Sequence, residues 1–223
     1  MNNGAVLHRQ VQTRFQTLLA SGFILKLRRT ATFWLKLKNI RIKKQKMSYL
    51  IVGLGNPGAE YEKTRHNTGR LVVASAAAEL GHRAKFLLPE TMMNDSGRAV
   101  AKLVKSKKAA EKLVVIHDDL DLPLGRVKIS FGRGAGGHRG AASIIKALKT
   151  EKFIRVRVGI CPTTPGGKLK KPRGEKAVID FILGDFKPAE LATLKKLAKK
   201  ITAALETLIA DGREAAMSAV NGC

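Results

Sequence analysis

The chain has 223 residues, 44% of them hydrophobic and 26% charged, which supplies one full hydrophobic core and excludes an intrinsically disordered protein. Its 42 Lys and Arg against 17 Asp and Glu give a net charge of +25, far more than solubility needs, and such an excess points to a polyanionic partner. The two cysteines, Cys161 and Cys223, have no metal-ligand spacing, which argues for a reducing compartment and against a disulfide framework or a zinc site.

Eleven of the basic residues precede Met47, and the first acid is Glu60, so 31 basic and 17 acidic residues remain from Met47 onward. Composition therefore divides the chain into a basic extension, residues 1–46, and a folded domain, residues 47–223. An acid-free basic leader fits an organelle transit peptide or an arm that grips nucleic acid. The third reading, translation starting at Met47, is favoured because Met-Ser-Tyr-Leu-Ile-Val leads directly into a strand. No stretch approaches the roughly 20 apolar residues of a membrane span; Lys26, Arg28, Arg29, Lys36 and Lys38 interrupt the most apolar part of the extension.

From Tyr49 onward, short runs rich in Val, Ile and Leu predict strands over residues 49–53, 85–88, 112–117, 126–131 and 154–160. Helical spacing falls between and after them, over residues 67–80, 96–107, 138–148, 175–183 and 188–210. In the last, Leu191, Leu194, Leu197, Ile201 and Leu205 recur every three or four residues. This alternation predicts a single α/β domain, its sheet flanked by helices on both faces. Residues 163–174 (TTPGGKLKKPRG) read as a basic surface loop.

Four polar motifs fall where strands end or helices begin. Gly53-Leu54-Gly55-Asn56-Pro57-Gly58 matches GxGxxG formally, but Asn-Pro-Gly is turn chemistry and no apolar helix follows at once, as a dinucleotide site requires. The turn does place the Asn56 amide at the carboxyl end of a strand, where open α/β sheets bind ligands. Thr64-Arg65-His66-Asn67-Thr68-Gly69 sets a histidine at a helix start; alone, it is more often a surface or capping residue, yet histidine is the usual general base near neutral pH. Pro89–Gly97 (PETMMNDSG) contains a plain N-cap, which leaves the Met-Met-Asn run unexplained. The fourth motif joins His117-Asp118-Asp119-Leu120-Asp121 to the Gly-rich stretch ending in His138-Arg139-Gly140. A metal site there lacks a second ligand cluster, and the glycines fit either a phosphate cradle or a flexible loop. Together the motifs offer a base, a carboxylate to orient it and amides to hold a carbonyl. That is a hydrolytic set with water as the nucleophile, since no serine or cysteine lies in a nucleophile context.

IVGLGNPGAEYEKTRHNTG, LLPETMMNDSGRAV, VVIHDDLDLPLG and GAGGHRG, in this order, closely resemble the bacterial-type peptidyl-tRNA hydrolases from about Tyr49 to the C-terminus. The resemblance implies an α/β domain with a twisted, mixed, mostly parallel sheet, and cleavage of the ester between peptide and tRNA. It implies His66 as catalytic base and Asp118 as its orienting acid. Asn56 and Asn94 would hold substrate or water, Met93 would line the peptide channel, and His138 would stand near its mouth. Tyr61 and Arg139 complete the substrate set. It further implies a cytoplasmic monomer acting on peptidyl-tRNA without metal or cofactor, organelle import through residues 1–46 being the lesser alternative.

Two departures stand out: Arg139 occupies a position where the family commonly has Asn, and the segment between His66 and Asn94 is short, so an edge strand is expected to be absent. Candidate phosphate contacts are Arg133, Arg155, Arg157, Lys168, Lys170, Lys171 and Arg173, with Lys176 beside them; Arg139 is a further candidate. Rival readings are a non-catalytic RNA-binding relative, against which the retained polar set argues, and a nucleotide-dependent oxidoreductase on Gly53–Gly58. The latter needs an acid ending a second strand, whereas Glu79 falls within a predicted helix.

Overall fold

A computed structural model describes residues 49–222. The basic extension, the start at Met47 and Cys223 lie outside the described residues.

In chain order the elements are β1 (Leu50–Gly53), the 3-10 turns Ala59–Tyr61 and Arg65–Asn67, α1 (Thr68–Leu80), the 3-10 turn Gly81–Arg83 and β2 (Lys85–Leu87). There follow the 3-10 turn Met93–Asp95, α2 (Ser96–Ala101), α3 (Lys107–Ala110), β3 (Leu113–Pro123), β4 (Val127–Phe131) and α4 (Arg139–Leu148). β5 (Ile154–Cys161), α5 (Glu175–Leu183), α6 (Pro188–Asp211) and α7 (Arg213–Asn221) complete them. The five strands form one sheet in the order β2-β1-β3-β5-β4, parallel except for β4, which runs antiparallel to β5. This is the mixed, mostly parallel α/β architecture expected. The chain goes from β1 out to β2 and then returns past β1 to β3, so the topological switch lies between β1 and β3. In open α/β sheets that crevice is where ligands bind.

Strand periodicity assigns the two cores. Ile51, Val114, Ile116, Ile154, Val156, Val158 and Ile160 face α1, α6 and α7 in the larger cluster. Val52, Leu113 and Val115 point the other way and pack with Val100 of α2, Ala110 of α3 and Ile144 of α4. Successive side chains of a strand alternate between faces, and both faces are covered by helices, so the strands read as continuous apolar runs.

The structure departs from expectation in three places. The helix expected over residues 96–107 stops at Ala101 and resumes at Lys107, because Ser106 caps a new turn, its hydroxyl accepting from the Ala109 N–H. β3 continues six residues beyond its expected end, since His117–Asp119 pair with Arg157–Gly159 of β5 instead of turning away. α7, not anticipated, follows Gly212, whose φ of 100° breaks α6. Asn221 of α7 bonds both the N–H and the C=O of Ile129, blunting edge strand β4 as a neighbouring strand would. At the other edge, the sheet ends at β2 among the described residues, in keeping with the short segment before Asn94.

One contact sets how closely α1 approaches the switch point. A Cβ on Gly69 would lie 2.2 Å from the Ile116 oxygen and 2.5 Å from the Leu54 nitrogen, while one on Gly53 would lie 2.4 Å from the Gly69 oxygen. The two glycines let helix and strand backbones touch directly above β1 and β3. Gly69→Ala is expected to lower stability by about 1–3 kcal/mol through forced overpacking, read as a reduced denaturant midpoint at unchanged slope; an unaltered midpoint would show that the contact is soft.

Candidate active site

β3 outruns β1. Gly53 pairs with Ile116, and beyond that register β3 is accompanied by β5 but no longer by β1. Asp118 therefore stands above the end of β1, in space filled by the turn Arg65–Asn67, which carries His66. His66 Nδ1 lies 3.1 and 3.0 Å from the two Asp118 carboxylate oxygens, and His138 Nε2 lies 3.0 Å from Oδ1. All three side chains are buried, Asp118 at 5% exposure.

The bonds fix the tautomers. Burial would push the Asp118 carboxyl up, but the electrostatic pull and hydrogen bonds of the adjacent His66 and His138 rings hold it far below the usual carboxylate range, so it is ionised and only accepts. His66 therefore carries its proton on Nδ1, and its Nε2 lone pair is left for the cleft that His66 lines. His138 accepts the Ala141 N–H at Nδ1 (3.2 Å), as N-cap of α4, and so donates from Nε2. His117 donates from Nδ1 to the Asp118 backbone oxygen at 2.7 Å and lies against the His138 ring, centroids 4.5 Å apart. Burial, then the neighbouring His138, lowers its pKa well below 6.5, so it stays neutral. His66, Asp118 and His138 also bring ligand-type atoms within 4.8 Å of one another, as a metal would need. Ligation through His138 Nε2, however, would move its proton onto Nδ1, against the Ala141 N–H.

The remaining residues form a cleft of about 550 Å³ over this cluster. Asn56 is braced from three sides: its N–H donates to Asn67 Oδ1 (2.8 Å), its C=O accepts from Asn67 Nδ2 (2.9 Å), and its Oδ1 accepts the Met93 N–H (2.8 Å). That leaves the Asn56 Nδ2 donor available to the cleft. Met93 is buried below, whereas Asn94 is exposed at the rim and Tyr61 half-buried. The opposite wall is apolar and comes from α5, through Val178, Ile179, Ile182 and Leu183. This wall and the Asn67 brace were not singled out in the sequence, where Asn67 reads as a helix start and residues 175–183 simply as a helix.

The family model for peptidyl-tRNA hydrolase matches residues 50–223. The chain belongs to the peptidyl-tRNA hydrolase family. The peptidyl-tRNA hydrolase of Syntrophotalea carbinolica is 38% identical over 192 residues, covering 77% of this chain and 96% of that protein. That of Herpetosiphon aurantiacus is 40% identical over 195 residues, covering 78% and 90%. A crystal structure of peptidyl-tRNA hydrolase from Acinetobacter baumannii superposes with a TM-score of 0.68 at 30% identity, over 78% of this chain and 94% of that one.

Within this peptidyl-tRNA hydrolase fold the cations named from sequence occupy different environments. Arg155 is 4% exposed and donates to the Ala135 oxygen, bracing the Gly-rich loop from beneath. Arg157 pairs with Asp119 at 2.5 Å and Lys171 with Asp121 at 2.6 Å. Arg139, exposed at the cleft rim, pairs with Glu175 at the start of α5 (2.6 Å). Arg133, Lys168, Lys170 and Arg173 are exposed.

Burial of the His66 ring disfavours its charged form, but the Asp118 charge and hydrogen bond outweigh this and raise its pKa above 6.5; the Arg139 guanidinium opposes the rise. In a titration followed by NMR, His66 is expected to change protonation above pH 6.5. Asp118→Asn leaves burial uncompensated and should bring the midpoint below 6.5, while Arg139→Asn should raise it further. A midpoint indifferent to Asp118→Asn would disprove the coupling.

Proposed function

We propose that this chain hydrolyses the ester joining peptide to tRNA in peptidyl-tRNA, with His66 as general base. The carrying observation is the buried His66–Asp118 pair, its free Nε2 at a cleft on the switch point of a peptidyl-tRNA hydrolase fold. Water bound at His66 Nε2 gives up a proton as its oxygen bonds to the ester carbonyl carbon. Asp118 stabilises the imidazolium that forms. Asn56 Nδ2, held by bonds to Asn67 and Met93, donates to substrate, and Asn94, Tyr61 and Met93 contact it along the cleft. When the carbon–oxygen ester bond breaks, the His66 proton passes to the departing ribose oxygen, giving a free tRNA hydroxyl and a peptide acid. His138 holds the second side of Asp118, so the carboxylate cannot turn away from His66.

The exposed cations Arg133, Lys168, Lys170 and Arg173 are the proposed phosphate contacts; Arg155, Arg157 and Lys171 already serve protein acceptors. Among the described residues no helix is long and apolar enough to cross a membrane. The reading is of a monomer acting in the cytoplasm on substrate released from translation, residues 47–223 forming its catalytic domain and residues 1–46 an extension.

His66→Ala should retain the wild-type melting transition and lose about 10²–10⁴-fold in kcat, measured by release of free tRNA from peptidyl-tRNA. Wild type without such release would refute the proposed reaction, and an unimpaired His66→Ala would refute the base. Because the base acts when neutral, kcat/KM should climb with pH through a midpoint above 6.5. Affinity for tRNA should fall with salt at a log–log slope of about −3, as for about four phosphate contacts; a flat response would remove the basic loop from the interface.

A further inference from the structure

α5 forms the apolar wall of the cleft, yet none of its residues is fully buried, and it packs on the core only through the partly buried Phe181 and Ile182. Its N-terminal end is tied by the Arg139–Glu175 pair, which is solvent-exposed and so contributes little. Its C-terminal end is held by Arg65, the residue next to His66. Arg65 Nη1 donates to the oxygens of Phe181 and Gly184 at 3.3 and 3.1 Å, capping the last turn where helix carbonyls lack partners. Nη2 donates to Glu190 at 2.8 Å, and the same Glu190 oxygen accepts the Lys187 N–H at the start of α6. The guanidinium lies 4.5 Å from the ring centre of Phe181 and 5.5 Å from that of Phe186. Backbone bonds run alongside, from the Arg65 N–H to the Gly184 oxygen and from the Phe186 N–H to the Lys63 oxygen.

We infer that Arg65 is a positioning residue for substrate: its buried guanidinium locks α5 in place as the peptide-facing wall, in register with the neighbouring His66. The planar fork reaches two carbonyls and a carboxylate at once, a geometry that a lysine ammonium does not reproduce. Arg65 touches neither water nor ester. It acts through the position of Val178, Ile179, Ile182 and Leu183, so its loss weakens binding of apolar peptides more than it slows chemistry. This rests on the peptide occupying the cleft, as the proposed hydrolysis requires.

The test compares wild type with Arg65→Lys on tRNA carrying a trileucyl or a triglycyl peptide, together with hydrogen exchange of α5 amides. Arg65→Lys is expected to raise KM for the leucyl substrate about tenfold, the size of one lost hydrogen bond to a charged group. The glycyl KM and both kcat values should change little, and α5 exchange should accelerate about as much while residues 113–118 stay protected. Ile182→Ala, which thins the wall directly, should add little to the leucyl KM of Arg65→Lys. Equal losses on both peptides, or lowered kcat with unchanged α5 exchange, would overturn the inference in favour of a general structural role or a direct effect on His66. Should Arg65→Lys fail to fold, Glu190→Gln removes one charged partner and carries the same comparison with the same expected directions. If wild type cleaves neither substrate, the hydrolytic reading falls, while the exchange experiment still decides whether Arg65 holds α5.

Discussion

A single carboxylate, Asp118, organises the site. It is buried, ionised and shared by two histidines from different parts of the chain, one in the turn before α1 and one capping α4. A buried charge is tolerated only when its lone pairs are satisfied, so wherever Asp118 is placed, His66 and His138 must follow. The sheet places it: β3 leaves β1 behind at Ile116 but keeps its pairing with β5, which carries Asp118 into the space above the switch point. The glycine contact between α1 and β1 brings the His66 turn close enough to meet it.

Stability and chemistry are divided between layers. The two apolar clusters lie within and against the sheet; α5 reaches the larger one only through the partly buried Phe181 and Ile182, while each of the other helices places a buried residue in one of them. Above the strand ends the contacts are polar and directional: the Asn56–Asn67 brace, the Asp118 cluster and the Arg65 fork. Such bonds hold side chains at defined angles, which a catalytic group needs. The α5 wall is an apolar surface in this upper layer, and it is fastened by polar ties at its ends.

The large positive charge is also partitioned. Several cations that look free in the sequence are committed to protein acceptors, among them Arg65, Arg155, Arg157 and Lys171. Others on the 163–174 loop remain solvated and available to a polyanion. Arg139 has two roles at once, tying α5 to α4 at the rim and opposing the rise in the His66 pKa.

The strands, four of the five expected helices and the alternation that makes an α/β sheet were legible in the linear chain, because periodicity and local turn chemistry are short-range properties. Asn56, His66, Met93 and Asp118 were named from the motifs and the family resemblance those motifs carry. The shared carboxylate, the role of Asn67 and the work of Arg65 were not. Each depends on partners 11 to 125 residues away, and no local pattern encodes which acceptor a side chain will reach. Likewise, residues 118–123 fall past the end of the strand expected over 112–117; only pairing with β5 extends the strand into them and buries Asp118. The sequence by itself determined which chemical groups exist and which element carries each. Tertiary structure decided their protonation and partners, since these follow from burial and distance.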